Sequence, residues 1–341
     1  MMSEPEADHR LTVVGACSRH DTAEGLCAAC VDELVERRVG LAIDASASTL
    51  KQYALVFRGF IRWCAHNDVS IVVEPDRVRG YLVARLDDGI TPRTVAHDYA
   101  CLRALSLHFT GQPLRMSTDL RTVLKSLSKR RHDTPLSHAR PIRPDDLTSI
   151  CRRPTTHTRL QYHRDSAIIL VGWSIGARPQ DLAALRWRDI RLSNGVITVS
   201  VPPGKTSARQ AYILPSREAE RCPVAAMRRW STAMGVDLDE PDIDKLDWPV
   251  FARIDRWGNY RRSVGLSSEA VADIVRQVAV IAGLGPGYAG GSLRSGFVSS
   301  ASEAGIDDRD IMAVTGHRSL ASLARYRREI AAFSNPALKL L

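Results

Sequence analysis

Residues 174–190 read Ser-Ile-Gly-Ala-Arg-Pro-Gln-Asp-Leu-Ala-Ala-Leu-Arg-Trp-Arg-Asp-Ile, and this stretch decides how the C-terminal half is read. Gly176-Ala177 sets a turn and Arg178 follows it. Pro179 suits the first position of a helix, since its missing N–H is not needed there. Leu182, Leu185, Trp187 and Ile190 then supply apolar anchors. Taken alone, Arg178 is equally a surface arginine at a helix start.

Four more residues downstream change that weighing. Lys205 sits in Pro-Pro-Gly-Lys-Thr-Ser-Ala-Arg-Gln-Ala-Tyr-Ile-Leu-Pro (202–215). Arg294 sits in Gly-Gly-Ser-Leu-Arg-Ser-Gly-Phe (290–297), and His317 and Tyr326 share Thr-Gly-His-Arg-Ser-Leu-Ala-Ser-Leu-Ala-Arg-Tyr (315–326). Two arginines can hold phosphate oxygens with forked hydrogen bonds and stay charged at any working pH. A lysine can protonate a poor alkoxide leaving group. A phenol, with an ordinary pKa of ~10, can attack phosphorus where nearby cations favour its phenolate. The resulting phosphotyrosine ester conserves the energy of the broken bond, so resealing needs no ATP and no metal. A nucleotide-binding P-loop is excluded, because it requires glycine five residues before Gly204, where Val199 stands.

The order and spacing of the five residues closely resemble the tyrosine recombinase, or phage integrase, family, over roughly residues 41 to 335. The family pattern is a Gly-x-Arg turn, an acidic residue three positions on, and a Leu-x-x-Leu-x-Trp-x-Asp-Ile run. Residues 176–190 match it nearly throughout. The resemblance implies that Arg178, Lys205, Arg294, His317 and Tyr326 are catalytic, and that Asp181 anchors the site from behind. It places the lysine between two strands, as Lys205 is expected to lie; Arg209 is a neighbouring cation beyond that position. His317 and Tyr326 are nine residues apart and Arg294 and His317 are 23 apart, both family-like intervals. One departure stands out. The family motif is His-x-x-Arg, and the histidine position here is Gly291. Losing one hydrogen-bond donor to the scissile phosphate costs on the order of 10²–10³ in rate. Ser292 and Tyr288 are candidate substitutes, and a glycine pair with positive φ is a third explanation.

Around this core the chain is ordinary. It has 341 residues, 44% hydrophobic and 25% charged, with a formal net charge of +9. That length suits two domains of ~100–200 residues each, and the basic excess favours a polyanionic partner. No apolar run reaches the ~18 residues of a membrane helix. The acidic start lacks a secretory signal and the scattered cysteines read as reduced thiols, so a cytoplasmic protein is expected. The expected fold is mostly α with a small β-sheet or hairpin.

Residues 1–40 are read as a separate N-terminal segment. Cys17, His20, Cys27 and Cys30 have the spacing C-x2-H-x6-C-x2-C, which can present four donors to a structural zinc. The alternative is a tail with incidental thiols. Residues 41–131 read as a four-helix DNA-binding domain. Its helices start at Ser48 or Thr49, after Pro75, at Thr91-Pro92 and near residue 117. Residues 132–144 read as a basic linker. Lys125, Lys129, Arg130, Arg131, Arg140 and Arg143 form a basic stretch suited to a phosphate backbone, or equally a solvated connector. Residues 145–341 read as the catalytic domain. Its helices are expected at 145–153, 163–175, 179–186, 217–234, 267–283, 293–304, 307–315 and 319–328, and a hairpin joins 196–201 to 210–214. The apolar tail, with Ile330, Phe333, Leu338, Leu340 and Leu341, either docks on a neighbouring protomer, as in related recombinases, or folds back.

The resemblance implies a site-specific recombinase acting on double-stranded DNA, cutting through Tyr326 to leave 3′-phosphotyrosyl links. It further implies a clamp around the duplex, a homotetramer on synapsed DNA, a mobile genetic element as setting, and directionality factors as partners. No cofactor for catalysis is expected. Two rivals remain: a type IB topoisomerase, and a catalytically weakened DNA-binding relative suggested by Gly291.

Overall fold

The computed structural model describes residues 28–40, 45–133, 139–154, 159–204, 208–240, 242–255 and 257–331. The chain divides into two compact units, residues 1–136 and 137–341.

The N-terminal unit is helical: α1 (Ala28–Val39), α2 (Ala47–His66), α3 (Pro75–Asp87), α4 (Pro92–Thr110) and α5 (Thr118–Asp133). The expectation of four helices beginning after residue 40 is corrected. Val31, Val35 and Val39 recur every fourth residue, so they line one face of α1, and all three are buried in the same core as Phe57, Phe60 and Leu102. Residues 28–39 therefore belong to the bundle rather than to a separate segment 1–40. Cys17, His20 and Cys27 lie outside the described residues. Cys30 lies on α1, and its side chain is likewise outside them. The cap of α2 is Ser46, not Ser48 or Thr49; its hydroxyl accepts from the Thr49 amide at 3.2 Å. Such a cap contributes about 1 kcal/mol. Thr91 and Pro92 open α4 as expected, and Gly111 ends it at φ 66°.

The C-terminal unit holds α6 (Pro144–Cys151), α7 (Arg159–Ser174), α8 (Pro179–Ala184), α9 (Pro223–Ala233), α10 (Ser268–Ile281), α11 (Ser292–Glu303), α12 (Asp308–Thr315) and α13 (Leu320–Ala331). The helix expected at 217–234 starts six residues late, because Pro223 occupies its first turn and Cys222 its cap. The expected hairpin is part of a three-stranded antiparallel sheet, β1 (Ile190–Ser193), β2 (Val196–Val201) and β3 (Arg209–Ile213), in that order. Asn194 and Gly195, with φ of 51° and 77°, make the tight turn between β1 and β2. On β2 and β3, Ile197 faces Ile213 and Val201 faces Arg209 in register. A second hairpin, β4 (Ala252–Ile254) and β5 (Tyr260–Gly265), was not expected. β4 has only three residues and β5 is almost wholly exposed, so neither carries an alternation long enough to read.

The large core of this unit gathers α7, α9 and α10 with the sheet, and it buries Leu182, Leu185, Trp187 and Ile190. These four are the apolar members of the 174–190 stretch, so they lock α8 and the Arg178 turn onto the core. A satellite cluster of Val298, Ala301, Ile311 and Leu323 ties α11, α12 and α13 together, with Tyr326 packed against it. The 139–143 stretch is not a solvated strap. The Arg140 amide donates to the Gly287 carbonyl at 2.8 Å, the Ile142 amide to Ser292 at 3.0 Å, and Ile142 is fully buried. No helix among the described residues is long and apolar enough to cross a membrane.

Candidate active site

Two glycines build the turns that hold the site. Gly176 has φ 55°, and a Cβ there would lie 2.6 Å from Thr315 Cγ2. Gly316 caps α12 at φ 67° in the left-handed region. Both conformations strain any residue with a side chain, so Gly-Ala-Arg and Thr-Gly-His each contain one position that must be glycine. The two turns touch each other through Thr315.

Arg294, near the start of α11, reaches into this contact. It is 1% exposed. Its Nη1 donates to the carbonyls of Gly176 (2.8 Å) and Thr315 (2.6 Å). One guanidinium nitrogen thus pins both turns. Its Nε and Nη2 are buried with no hydrogen-bond partner. Burial pushes the Arg294 pKa down to about 10; the neighbouring Arg178 and Arg209 push the same way, and Tyr326 and Asp181 oppose them. A buried cation in that state is stabilised by any anion that reaches it.

Arg178 stands at the N-cap of α8, its side chain a quarter exposed. Its amide donates to Asp181 Oδ2 at 3.1 Å, while its Nη1 is 4.0 Å from that oxygen and buried without a hydrogen bond. The same Asp181 oxygen accepts from Arg209 Nη2 at 3.1 Å. Asp181 therefore restrains two arginines from behind.

His317 is buried, and its Nδ1 lies 2.6 Å from Thr315 Oγ1. The threonine hydroxyl donates to the Ile311 carbonyl at 2.6 Å. Having one proton only, it accepts from the ring, so Nδ1 carries the hydrogen. The His317 and Tyr326 rings meet edge-on with centroids 5.4 Å apart. Tyr326 is half-buried on α13.

The structure thus brings Arg178, Arg294, His317, Tyr326 and Asp181 together. Lys205 lies outside the described residues. Arg209 joins the cluster, which the sequence did not reveal, because its anchors are 28 and 105 residues away. Both substitutes considered for the missing histidine are buried, Ser292 fully. Ser292 Oγ accepts from the Ala289 amide at 2.9 Å, and Tyr288 donates to Asp146 at 3.3 Å. The backbone explanation is corrected as well. Gly291 has φ −75°, and a Cβ there would meet nothing within 4 Å. The crowded residue is Gly290, whose Cβ would lie 2.5 Å from Pro179 Cγ and 2.7 Å from Ala272 Cβ.

Of the basic stretch, Lys125, Lys129 and Arg130 are exposed on α5. Arg131 is also on α5, with its side chain outside the described residues. Arg140 and Arg143 belong to the C-terminal unit. Arg140 stacks over Tyr288 at 5.2 Å and Arg143 pairs with Glu303. The six thus divide between the units, four on α5 and two in the C-terminal unit.

The phage integrase family model matches residues 140–332. The chain is 26% identical over 299 residues to an integrase/recombinase xerD homolog of Selenomonas ruminantium, covering 85% of this chain and 84% of that protein. It is 25% identical over 294 residues to the tyrosine recombinase XerC of Xanthomonas campestris pv. campestris (strain B100), covering 86% and 80%. Among solved structures, XerH site-specific recombinase bound to palindromic difH substrate matches with a TM-score of 0.63 at 15% identity, covering 91% of this chain and 83% of that one. A lambda integrase dimer bound to a COC′ core site matches with a TM-score of 0.60 at 14% identity, covering 89% and 78%. At such identities the structural likeness is one of fold. The sequence match itself spans more than half of the chain, and the chain belongs to the phage integrase family.

Proposed function

We propose that this chain is a site-specific DNA recombinase that cuts and rejoins double-stranded DNA through a 3′-phosphotyrosyl intermediate. The observation that carries the reading is the phenol of Tyr326 lying against the His317 ring and within the field of Arg294. A nucleophile in the field of Arg294, whose own neighbour Arg178 likewise has an unpartnered donor, suits in-line attack on a phosphodiester. Tyr326 Oη would form the new bond to phosphorus and release its proton to solvent. The bond to the 5′ oxygen would break, with Lys205 giving that oxygen a proton. Arg178 and Arg294 would hold the non-bridging oxygens, and His317, its Nδ1 hydrogen committed to Thr315, would add a donor there through Nε2 as the imidazolium. Asp181 would keep the arginines in place without touching substrate. Lys125, Lys129, Arg130 and Arg131 on α5 would follow the DNA backbone.

Exchange between two duplexes requires four strands to be cut, and one tyrosine cuts one strand. A homotetramer on synapsed DNA supplies four. Because the ester conserves the bond energy, the chemistry runs equally in both directions, and directionality factors would have to bias it. We assign the protein to the cytoplasm and to a mobile genetic element on the same reading. A catalytically weakened relative is the second reading, favoured by Gly291 alone; the type IB topoisomerase reading has no observation in its favour.

The test is Tyr326→Phe. The variant should bind DNA nearly as well as the parent and form no SDS-resistant protein–DNA adduct. An adduct with the phenylalanine variant would remove Tyr326 as the nucleophile.

We also propose a zinc site at Cys17, His20, Cys27 and Cys30, with the spacing as its support. Elemental analysis should give about one zinc per chain, lost in a Cys27→Ser/Cys30→Ser variant. Metal-free protein would end the idea.

A further inference from the structure

We propose that Arg209 is a third guanidinium binding the same phosphoryl group as Arg178 and Arg294. The inference rests on the recombinase reading and extends it to a residue outside the five that the family resemblance supplies.

Arg209 opens β3, across from Val201, and its side chain is 7% exposed. Two of its three nitrogens are fixed. Nε donates to the Val314 carbonyl at 3.0 Å, and Nη2 donates to Asp181 Oδ2 at 3.1 Å. Val314 immediately precedes the Thr315-Gly316-His317 turn, and Asp181 lies behind Arg178. The guanidinium is therefore held rigidly between the two turns that frame the site. The third nitrogen, Nη1, is buried and has no hydrogen-bond partner.

A pure structural tie would leave that atom without a purpose. Burying an unpaired donor of a charged group is costly, so such atoms are normally satisfied by something. Arg178 Nη1, Arg294 Nε and Arg294 Nη2 are in the same condition. These four unsatisfied donor atoms sit on three arginines joined by shared anchors: Arg178 and Arg209 flank Asp181 Oδ2, and Arg209 and Arg294 hold the adjacent carbonyls of Val314 and Thr315. A single ligand with several acceptor oxygens is what they have in common. A phosphoryl group is such a ligand, and guanidinium forks match its geometry.

The charge balance points the same way. Arg178, Arg209 and Arg294 face one carboxylate, Asp181, which leaves a surplus of two positive charges among these groups. A phosphodiester carries one negative charge, and the pentacoordinate transition state carries more. The surplus therefore favours the transition state over the bound ground state, which is the condition for catalysis. It also offers a replacement for the donor that Gly291 does not supply: an unpartnered N–H on an arginine of β3 rather than a side chain of α11.

The experiment uses full-length protein and a nicked suicide substrate, made either with an ordinary scissile phosphate or with a methylphosphonate, whose charged oxygen is replaced by methyl. Arg209→Ala and Arg209→Gln are compared with the parent; glutamine keeps a donor for Asp181 without the charge. Thermal unfolding of all three is followed in parallel. The phosphate substrate should be cleaved about 100-fold more slowly by both variants, the usual effect of losing one donor to such a transition state. On the methylphosphonate the deficit should shrink at least tenfold, because a neutral phosphoryl group needs one cation fewer. An equal deficit on both substrates would make Arg209 a structural tie only and overturn the proposal, as would undiminished cleavage. If the parent forms no adduct through Tyr326 on either substrate, the recombinase reading itself falls; if it forms one and Arg209→Gln matches its rate, only the role of Arg209 does.

Discussion

Among their described residues, the two units bury charge in different ways. In the N-terminal unit the one buried ionic side chain is Asp98, and it is closed off: Arg85 Nε donates to it at 3.1 Å. Burial raises the Asp98 pKa and the Arg85 hydrogen bond lowers it, so the pair is self-contained. The C-terminal unit buries Arg164 and Asp165 as a similar closed pair. It also buries Asp181, Arg294 and His317, and there the account stays open: single Nε atoms of Arg77 and Arg79 lack hydrogen-bond partners in the N-terminal unit too, but here four such donors, on Arg178, Arg209 and Arg294, gather around one carboxylate. Closed pairs serve folding. An open cluster costs stability unless a ligand completes it, and such clusters mark sites of function.

The sharpest way to break that contrast is at Arg294. Arg294→Lys keeps the charge and loses the planar fork, so it should reduce cleavage about 10²–10³-fold. Thermal stability should change little by comparison, because a lysine ammonium can still reach one of the two carbonyls that Nη1 now holds. If unfolding temperature falls steeply and cleavage does not, the open cluster is a folding device and the contrast fails.

The mirror experiment is in the apolar core of the N-terminal unit. Leu102 is fully buried there among Phe57, Phe60 and Leu105. Leu102→Ala should cost about 3 kcal/mol, within the usual range for a cavity of that size. A urea titration would read it as a lower midpoint with an unchanged slope. A loss below about 0.5 kcal/mol would mean the bundle is loosely packed, and that its apolar interior is not what holds it.

The same contrast governs what the sequence disclosed. In α2 and α4, apolar residues at three- and four-residue steps mark the buried face, and Phe57, Phe60, Ile61, Leu102 and Leu105 are indeed buried. The stripe Val31, Val35, Val39 carried the same signal for α1, but the cysteine spacing beside it suggested another unit. Helix α7 is buried almost all round, so its existence was legible, with its start expected four residues late, and its inward face was not. The C-terminal unit was legible through motifs instead. Gly176 and Gly316 stand where backbone geometry demands glycine, and those demands fix Arg178 and His317 at set intervals from them. Arg209 had no such local mark. Its partners Asp181 and Val314 come from two other elements, and only the folded chain brings the three together.

The smallest predicted effect concerns position 291, where this chain departs from its family. Three explanations for the glycine were open in the sequence. A strained backbone is not one of them any longer, since φ is −75° and the Cβ space is empty. Nor do Ser292 and Tyr288 take the histidine's place, since Tyr288 gives its proton to Asp146 and Ser292 is fully buried. What remains is a donor lost at α11, with Arg209 as the proposed compensation from β3. Gly291→His should then be accepted without loss of thermal stability. It should raise cleavage by about tenfold, less than the 10²–10³ that a sole missing donor commands, because the compensating one is already there. A gain of a hundredfold or more would show that Arg209 does not compensate. A fall in cleavage at unchanged stability would show that the imidazole competes with Arg209 for the same phosphate oxygen. Unchanged cleavage would mean that residue 291 does not face the phosphate, and that the pairing of Gly-Ser-Leu-Arg with the family's His-x-x-Arg is out of register.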